Sequence, residues 1–377
     1  MSNHKGVLIL TASAGGGHIV AARALEHEFR RQAPDLTVEV LDALALTRPY
    51  FRRAYGGGYL ALVQHAPALF GWLYDRMDSS DPGWLDRVRR WLQNQNRTCL
   101  VREVQARNPR LVVCTHYLPA EFIAQMKRAG VVRCRHVIVT TDYETHRMWV
   151  QEPCDRYYTA TADARYLLTT WGVAPDRILV TGIPVRPGFD DTLDPAEARR
   201  RCGLPEAAPT VLMLCGGFGV GPAAELLRAL ATLPAPTQVV VIVGRNEKLQ
   251  RQLERQAGTS DGRVRVVGYT DRVHEWMRAA DIVVSKPGGL TVAEALACGR
   301  PLVIVNPIPG QETRNADYLL ENGAAIKVNH LRLLAPRVSA LLDDRRHLER
   351  MQAAARALAR PLAAADIVRD ALKRITD

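Results

Sequence analysis

The feature that most constrains this chain is an alternation of short β-branched runs with longer helical patterns, repeated in two series. The first series has strand candidates at Gly6–Leu10, Thr37–Leu41, Leu111–Cys114, Val137–Thr140, Arg156–Thr159 and Ile178–Thr181. The second runs through Thr210–Leu214, Gln238–Val243, Val264–Val267, Ile282–Ser285 and Pro301–Val305. Such alternation builds βαβ units, hence parallel sheets covered by helices on both faces. Two series in 377 residues predict two doubly wound α/β domains. The proline-rich stretch from Gly182 to Pro209 reads as the joint. Residues 1–186 form the predicted N-terminal domain and 187–357 the C-terminal one. The helical pattern from about Arg346 is broken at Pro361, so residues 358–377 are expected to bend back onto the first domain.

Composition narrows the class of partner. With 50 Lys and Arg against 39 Asp and Glu, the net charge is +11, which suits an anionic ligand or surface. Seven cysteines without a C-x-x-C pair argue against a disulfide framework or zinc site and for a reducing compartment. The apolar run at Gly6–Leu10 is too short for a signal segment, and no run of 18 apolar residues occurs. A cytoplasmic protein is expected.

Parallel sheets place ligands at the carboxyl ends of their strands. The first such loop is Ser13-Ala14-Gly15-Gly16-Gly17-His18. Gly16 and Gly17 let backbone approach a ligand, and the following helix start favours negative charge. The spacing is neither G-x-G-x-x-G nor a P-loop, and a tight turn with a solvated histidine explains it equally well. A helix dipole depresses the pKa of a first-turn histidine, which suits His18 to a general base. Cys215-Gly216-Gly217-Phe218-Gly219 is a second glycine-rich turn. Ser285-Lys286-Pro287-Gly288-Gly289-Leu290-Thr291 leads into a helix whose free N–H groups suit phosphate, with Glu294 one turn on. Glu294 serves either a ribose diol or the helix dipole. The stiff Pro307-Ile308-Pro309-Gly310 loop presents Gln311, Glu312 and Asn315, either for hydroxyl recognition or as a capped helix start.

Taken together, these stretches resemble a known family. Ser-Lys-Pro-Gly-Gly-Leu-Thr-Val-Ala-Glu (285–294), then Pro-Ile-Pro-Gly-Gln-Glu with Asn315, is similar to the donor site of a glycosyltransferase family. That family holds the diacylglycerol glucosyl- and galactosyltransferases and the peptidoglycan lipid-intermediate N-acetylglucosaminyltransferase. Ser-Ala-Gly-Gly-Gly-His (13–18), Thr140–Trp149 and Val180–Val185 resemble its glycolipid branch, including the monogalactosyldiacylglycerol synthases. The resemblance spans almost the whole chain. It implies a GT-B fold, two Rossmann-like domains facing a central cleft, and transfer of glucose or galactose from a UDP-sugar to diacylglycerol.

By motif, the family's roles fall on particular residues. Gly216–Gly219 and Gly288–Thr291 hold the diphosphate, with Ser285 and Lys286 beside them. Glu294 takes the ribose, and Gly268 with Tyr269 lies against the uracil. Asn246 joins this donor set. Gly310, Gln311, Glu312 and Asn315 read the sugar. His18 is the acceptor base, with Asp142 and His146 sharing its work and His116 a weaker candidate for substrate contact. Asp142 reads equally as a helix cap. The chain has no D-x-D triplet, so an inverting transfer without metal or other cofactor is expected.

Residues 48–110 concentrate the basic excess, with eleven Arg against five acids, and nine aromatics lie between Tyr50 and Trp91. Arg52, Arg53, Tyr55, Trp72, Trp84, Arg89 and Arg90 suit an anionic lipid surface. Nucleic acid stacking or an ordinary aromatic core also fits such a segment. The family resemblance favours docking at the inner face of the cell membrane, with no nucleic acid partner. The rival readings are a UDP-GlcNAc transferase acting on a polyprenyl-diphosphate intermediate and a non-catalytic sugar-nucleotide- or nucleic-acid-binding protein.

Overall fold

The computed structural model describes residues 6–13, 15–78, 83, 98–190, 192–216, 222–258 and 261–376. The chain divides into two units. One comprises Met1–Arg186, Ile308–Gln311 and Leu362–Asp377; the other comprises Pro187–Pro307 and Glu312–Pro361.

The first unit holds β1 (Val7–Thr11), β2 (Val38–Asp42), β3 (Leu111–Cys114), β4 (Arg135–Val139), β5 (Arg156–Thr159) and β6 (Ile178–Val180). They pair in the order β2-β1-β3-β4-β5-β6, all parallel. Every residue of β1 is buried, as a strand covered on both faces requires. Its side chains alternate. Leu8 and Leu10 join a cluster with Leu118, Phe122, Ile123 and Met126 of α5 (Tyr117–Arg128). Val7 and Ile9 join the opposite cluster, with Leu25 and Phe29 of α1 (Gly16–Gln32). Full burial of one such side chain is worth roughly 1.5–3 kcal/mol. Between β2 and β3 lie α2 (Pro49–His65), α3 (Pro67–Asp78) and α4 (Thr98–Arg107). A further helix, α6 (Ala162–Thr170), links β5 to β6.

The second unit holds β7 (Thr210–Leu214), β8 (Gln238–Ile242), β9 (Val264–Val267), β10 (Ile282–Ser285), β11 (Leu302–Val305) and β12 (Ala325–Val328). Their order is β12-β11-β10-β7-β8-β9, again all parallel. The helices are α7 (Pro195–Cys202), α8 (Ala223–Leu230), α9 (Glu247–Ala257), α10 (Val273–Ala279), α11 (Gly289–Ala297), α12 (Gln311–Glu321), α13 (Leu334–Asp343) and α14 (Arg345–Leu358). The sequence pattern missed β12. Its run, Ala-Ile-Lys-Val, has only two β-branched residues, and pairing with β11 makes it a strand.

The chain breaks after α14 at Pro361 and resumes in α15 (Ala363–Thr376). Ile367, Val368, Ala371 and Ile375 of α15 complete the α1 side of the first core. A polar clamp fixes the helix: Asp370 accepts from the Tyr158 hydroxyl at 2.9 Å, Arg156 Nε at 3.1 Å and Arg374 Nε at 3.2 Å. Burial opposes ionisation of Asp370, but these partners together hold its carboxyl below the usual range. Among the described residues, no helix is long and apolar enough to cross a membrane.

Candidate active site

Strand order tells where chemistry belongs. In the first sheet the chain leaves β1 for β2 on one side and returns to β3 on the other, so the topological switch lies between β1 and β3. His18, the third residue of α1, stands at that point. Its Nδ1 lies 2.9 Å from the Thr115 carbonyl just past β3. A carbonyl can only accept, so Nδ1 carries the proton and Nε2 keeps its lone pair. The Thr115 hydroxyl donates back to the His18 carbonyl at 3.0 Å, clamping helix start to strand end. Thr141, two residues past β4, places Oγ1 2.9 Å from the same Nδ1. Burial lowers the His18 pKa to about 4, with the Thr115 bond opposing. The low value was expected, but its main cause is burial rather than the helix dipole.

His116 caps α5: its Nδ1 accepts from the Leu118 N–H at 3.0 Å, which leaves the proton on Nε2. Its ring meets His18 edge-on at 4.5 Å and stacks on Tyr117 at 4.4 Å. Burial, then the neighbouring His18, holds its pKa well below the ordinary value. Trp149 closes this aromatic group, 6.3 Å from His18 and 6.4 Å from His116. Gly16 is exposed, with open space where a Cβ would stand, and Gly17 is half-buried beside it.

His146 corrects one expectation. Its Nδ1 accepts from Met148 N–H at 3.0 Å, and its Nε2 sits 2.9 Å from the Tyr74 carbonyl, so Nε2 is the donor. With both nitrogens engaged and only 2% exposure, it ties α3 to the turn after β4 and offers no lone pair to a substrate. It also caps the short helical turn Arg147–Trp149. Asp142 sits half-buried in the bend after β4, next to Thr141.

The second sheet switches between β7 and β10. A shallow, solvent-open pocket lies there, lined by Leu214, Cys215, Pro222, Lys286, Val305 and Asn306 among others. Gly216 turns the chain after β7 at φ +71°, a region that glycine enters without strain. Gly217, Phe218 and Gly219 lie outside the described residues. Past β10, the Ser285 hydroxyl reaches the Leu214 carbonyl at 3.4 Å. Burial lowers the Lys286 pKa, and the charge of Glu312 opposes it. Gly288 is the N-cap of α11 and supplies no side-chain cap, so the N–H groups of Gly289, Leu290 and Thr291 face outward from the helix start. Glu294 is buried in this helix.

The remaining donor-side residues divide. Asn315 is fully buried, and its Nδ2 donates to the Pro287 carbonyl at 3.1 Å, bracing the Lys286–Gly288 turn; that part of its amide is not available to a sugar. Glu312 is buried, with Oε1 3.7 Å from where a Gly288 Cβ would stand. Gln311 is half-buried at the start of α12, behind Gly310 at φ +85°. Asn246 spends its side-chain oxygen capping α9. Gly268 and Tyr269 follow β9; Tyr269 is exposed, with the Arg245 guanidinium 4.5 Å over its ring.

Four contributors escaped sequence reading: Thr115, Thr141, Trp149 and Arg245. Thr115, Thr141 and Arg245 lie just beyond a strand's carboxyl end, and that position was the available signal; Trp149 ends the short turn Arg147–Trp149, ten residues after β4. Of the surface candidates, Arg52 and Trp72 are exposed on α2 and α3. The side chains of Arg53 and Tyr55, and residues Trp84, Arg89 and Arg90, lie outside the described residues. Tyr50 and Leu69 are exposed, whereas Phe51, Phe70 and Tyr74 are core. Among the described residues no group of three or more His, Cys, Asp or Glu is disposed to hold a metal ion.

Two all-parallel six-stranded sheets, each carrying candidate chemistry at its switch point, define the GT-B fold. Solved structures agree on the fold. MurG of Acinetobacter baumannii superimposes with a TM-score of 0.62 at 17% identity, covering 98% of this chain and 99% of that one. MnaA of S. aureus gives 0.64 at 14%, covering 99% and 98%. The family described as monogalactosyldiacylglycerol (MGDG) synthase matches residues 18–185, and glycosyl transferases group 1 matches 199–358. A "Processive diacylglycerol beta-glucosyltransferase" of Bacillus mycoides is 31% identical over 364 residues, 96% of this chain and 92% of the relative. One of the same name from Bacillus thuringiensis is 30% identical over 363 residues, with the same coverage. The chain belongs to this glycolipid-forming family of diacylglycerol glycosyltransferases and is a sugar transferase.

Proposed function

We propose that the protein transfers a hexose, glucose or galactose, from a UDP-sugar to the hydroxyl of diacylglycerol, with inversion and at a membrane surface. The observation that carries this reading is His18, whose Nδ1 proton is committed to the Thr115 carbonyl and whose Nε2 is left as a base. Nε2 removes the acceptor hydroxyl proton as that oxygen bonds to the anomeric carbon. The bond from that carbon to the diphosphate breaks on the opposite face, and UDP leaves with the electron pair. The N–H groups at the start of α11 and the Lys286 ammonium stabilise the departing charge. The relatives' names supply the lipid acceptor, and solved neighbours such as the S. aureus MnaA–UDP structure favour UDP as the carrier. Exposed Leu69, Trp72 and Arg52 suit a peripheral hold on anionic lipid.

The test is product analysis by mass spectrometry. The protein is incubated with diacylglycerol in anionic vesicles and a panel of UDP-sugars, with EDTA or with magnesium. A monohexosyl lipid in EDTA is the expected result, and longer oligohexosyl products reveal repeated addition. Product only with magnesium overturns the metal-free mechanism. No lipid product in either condition overturns the acceptor.

A further inference from the structure

The base in this site lacks the partner a catalytic histidine commonly has. No carboxylate bonds to His18 Nδ1 among the described residues; two neutral oxygens do. The Thr115 carbonyl lies 2.9 Å from Nδ1 and Thr141 Oγ1 lies 2.9 Å from the same atom. Nδ1 has one proton, and the carbonyl cannot donate, so Thr141 stands as the second acceptor of a shared hydrogen bond. Three adjacent strands deliver this arrangement: His18 follows β1, Thr115 follows β3 and Thr141 follows β4. Thr141 is 3% exposed, so its hydroxyl is held rather than free to wander.

The geometry points to Thr141 as a positioning residue for the acceptor base: its hydroxyl holds the His18 ring in one orientation and stabilises the imidazolium that forms during transfer. The inference rests on the reading of His18 as the base. When Nε2 takes the acceptor proton, positive charge spreads to Nδ1–H, and both oxygens bind that hydrogen more strongly than before. The gain arises in the transition state and not in the resting enzyme, so it appears in turnover rather than in donor affinity. A pair of neutral dipoles also leaves the histidine a weaker base than a carboxylate partner does, which suits one that must stay unprotonated at neutral pH. The surroundings agree. The ring neighbours of His18 are His116, neutral and committed to its cap, and the uncharged Trp149. Asp142 follows Thr141 in the chain.

Three variants test this: Thr141→Val, Thr141→Ser and His18→Ala, each assayed for kcat, donor KM and the pH profile of kcat/KM. Valine keeps the volume and branching but removes the acceptor. It is expected to lower kcat roughly 3- to 10-fold, the scale of one hydrogen bond, with donor KM nearly unchanged. It is also expected to move the acid limb of the profile to lower pH, because the imidazolium loses a partner. Serine restores the hydroxyl and is expected to recover both kcat and the limb. A valine variant with the wild-type limb and kcat, beside an inactive His18→Ala, overturns the role of Thr141 and leaves the base in place. A His18→Ala enzyme that keeps wild-type turnover overturns the base itself. A serine variant that behaves like valine assigns the loss to packing and overturns the hydrogen-bond role.

Discussion

The His136 side chain predicts how stability responds to acid. It is completely buried on β4, and its Nδ1 donates to the Pro153 carbonyl at 3.1 Å, while its Nε2 has no hydrogen-bond partner among the described residues. Burial is the main reason its pKa falls from 6.5 to about 4. Above pH 6.5 both folded and unfolded chains carry it neutral, and it contributes no pH dependence. Between pH 6.5 and 4 the unfolded chain binds a proton that the folded chain refuses, so stability falls as pH falls. A gap of that size, at about 1.4 kcal/mol per pH unit, amounts to roughly 3 kcal/mol. The perturbation is His136→Asn, whose amide can still donate to Pro153 but cannot titrate. Urea unfolding of both proteins at intervals from pH 7.5 to 4.5 measures the slope. The variant is expected to lose about one proton's share of it, whatever its starting stability. The rest belongs to groups such as His18 and His116, which are lowered for similar reasons. The adjacent Lys127–Asp155 ion pair stays in both proteins, and Asp155 titrates lower still. Parallel curves for the two proteins refute the reasoning.

Other outcomes follow from the site and the core. His18→Ala is expected to cut turnover about 10²- to 10⁴-fold while UDP affinity, read by calorimetry, is unchanged; full turnover refutes the base. Asp370→Ala strands the buried Tyr158 hydroxyl and leaves the Arg156 guanidinium only its bond to the Asp176 carbonyl; it is expected to lower stability by about 3 kcal/mol, read as a fall in Tm, and an unchanged Tm refutes the clamp. The Asp370 contribution is fully present at neutral pH and is lost only as pH falls through its lowered carboxyl pKa. Leu69→Glu combined with Trp72→Glu removes the exposed apolar face of α3 and is expected to weaken binding to anionic vesicles about tenfold or more, measured by co-sedimentation. Unaltered binding moves the lipid contact elsewhere.

The architecture was legible because it rests on local pattern. Eleven of the twelve strands were readable as β-branched runs between helical stretches, and β12 was lost because its short run is weak without its neighbour. The donor side was also largely local: strand, glycine turn and helix start are consecutive in sequence, so Lys286 to Thr291 could be read as a unit. Individual roles were less legible. Asn315 looked like a free polar side chain, but its partner is a carbonyl 28 residues away. His146 looked like a second base, but one of its ring nitrogens meets a carbonyl on α3, 72 residues earlier.

By itself, then, the sequence determined two doubly wound units, the position of His18 at the end of the first strand, and the glycine turns of the second. These depend on periodicity and on residues within a few positions of one another. Only the tertiary structure decided which histidine keeps a lone pair. Three imidazoles follow strands β1, β3 and β4, and their neighbouring residues do not show which ring nitrogens are engaged. A bond across 72 residues commits His146 to bracing α3, His116 is spent on capping α5, and a bond across 97 residues fixes the proton of His18 on Nδ1 and leaves its Nε2 with the lone pair. A side chain's protonation is set by what surrounds it in space, and those surroundings come from distant parts of the chain.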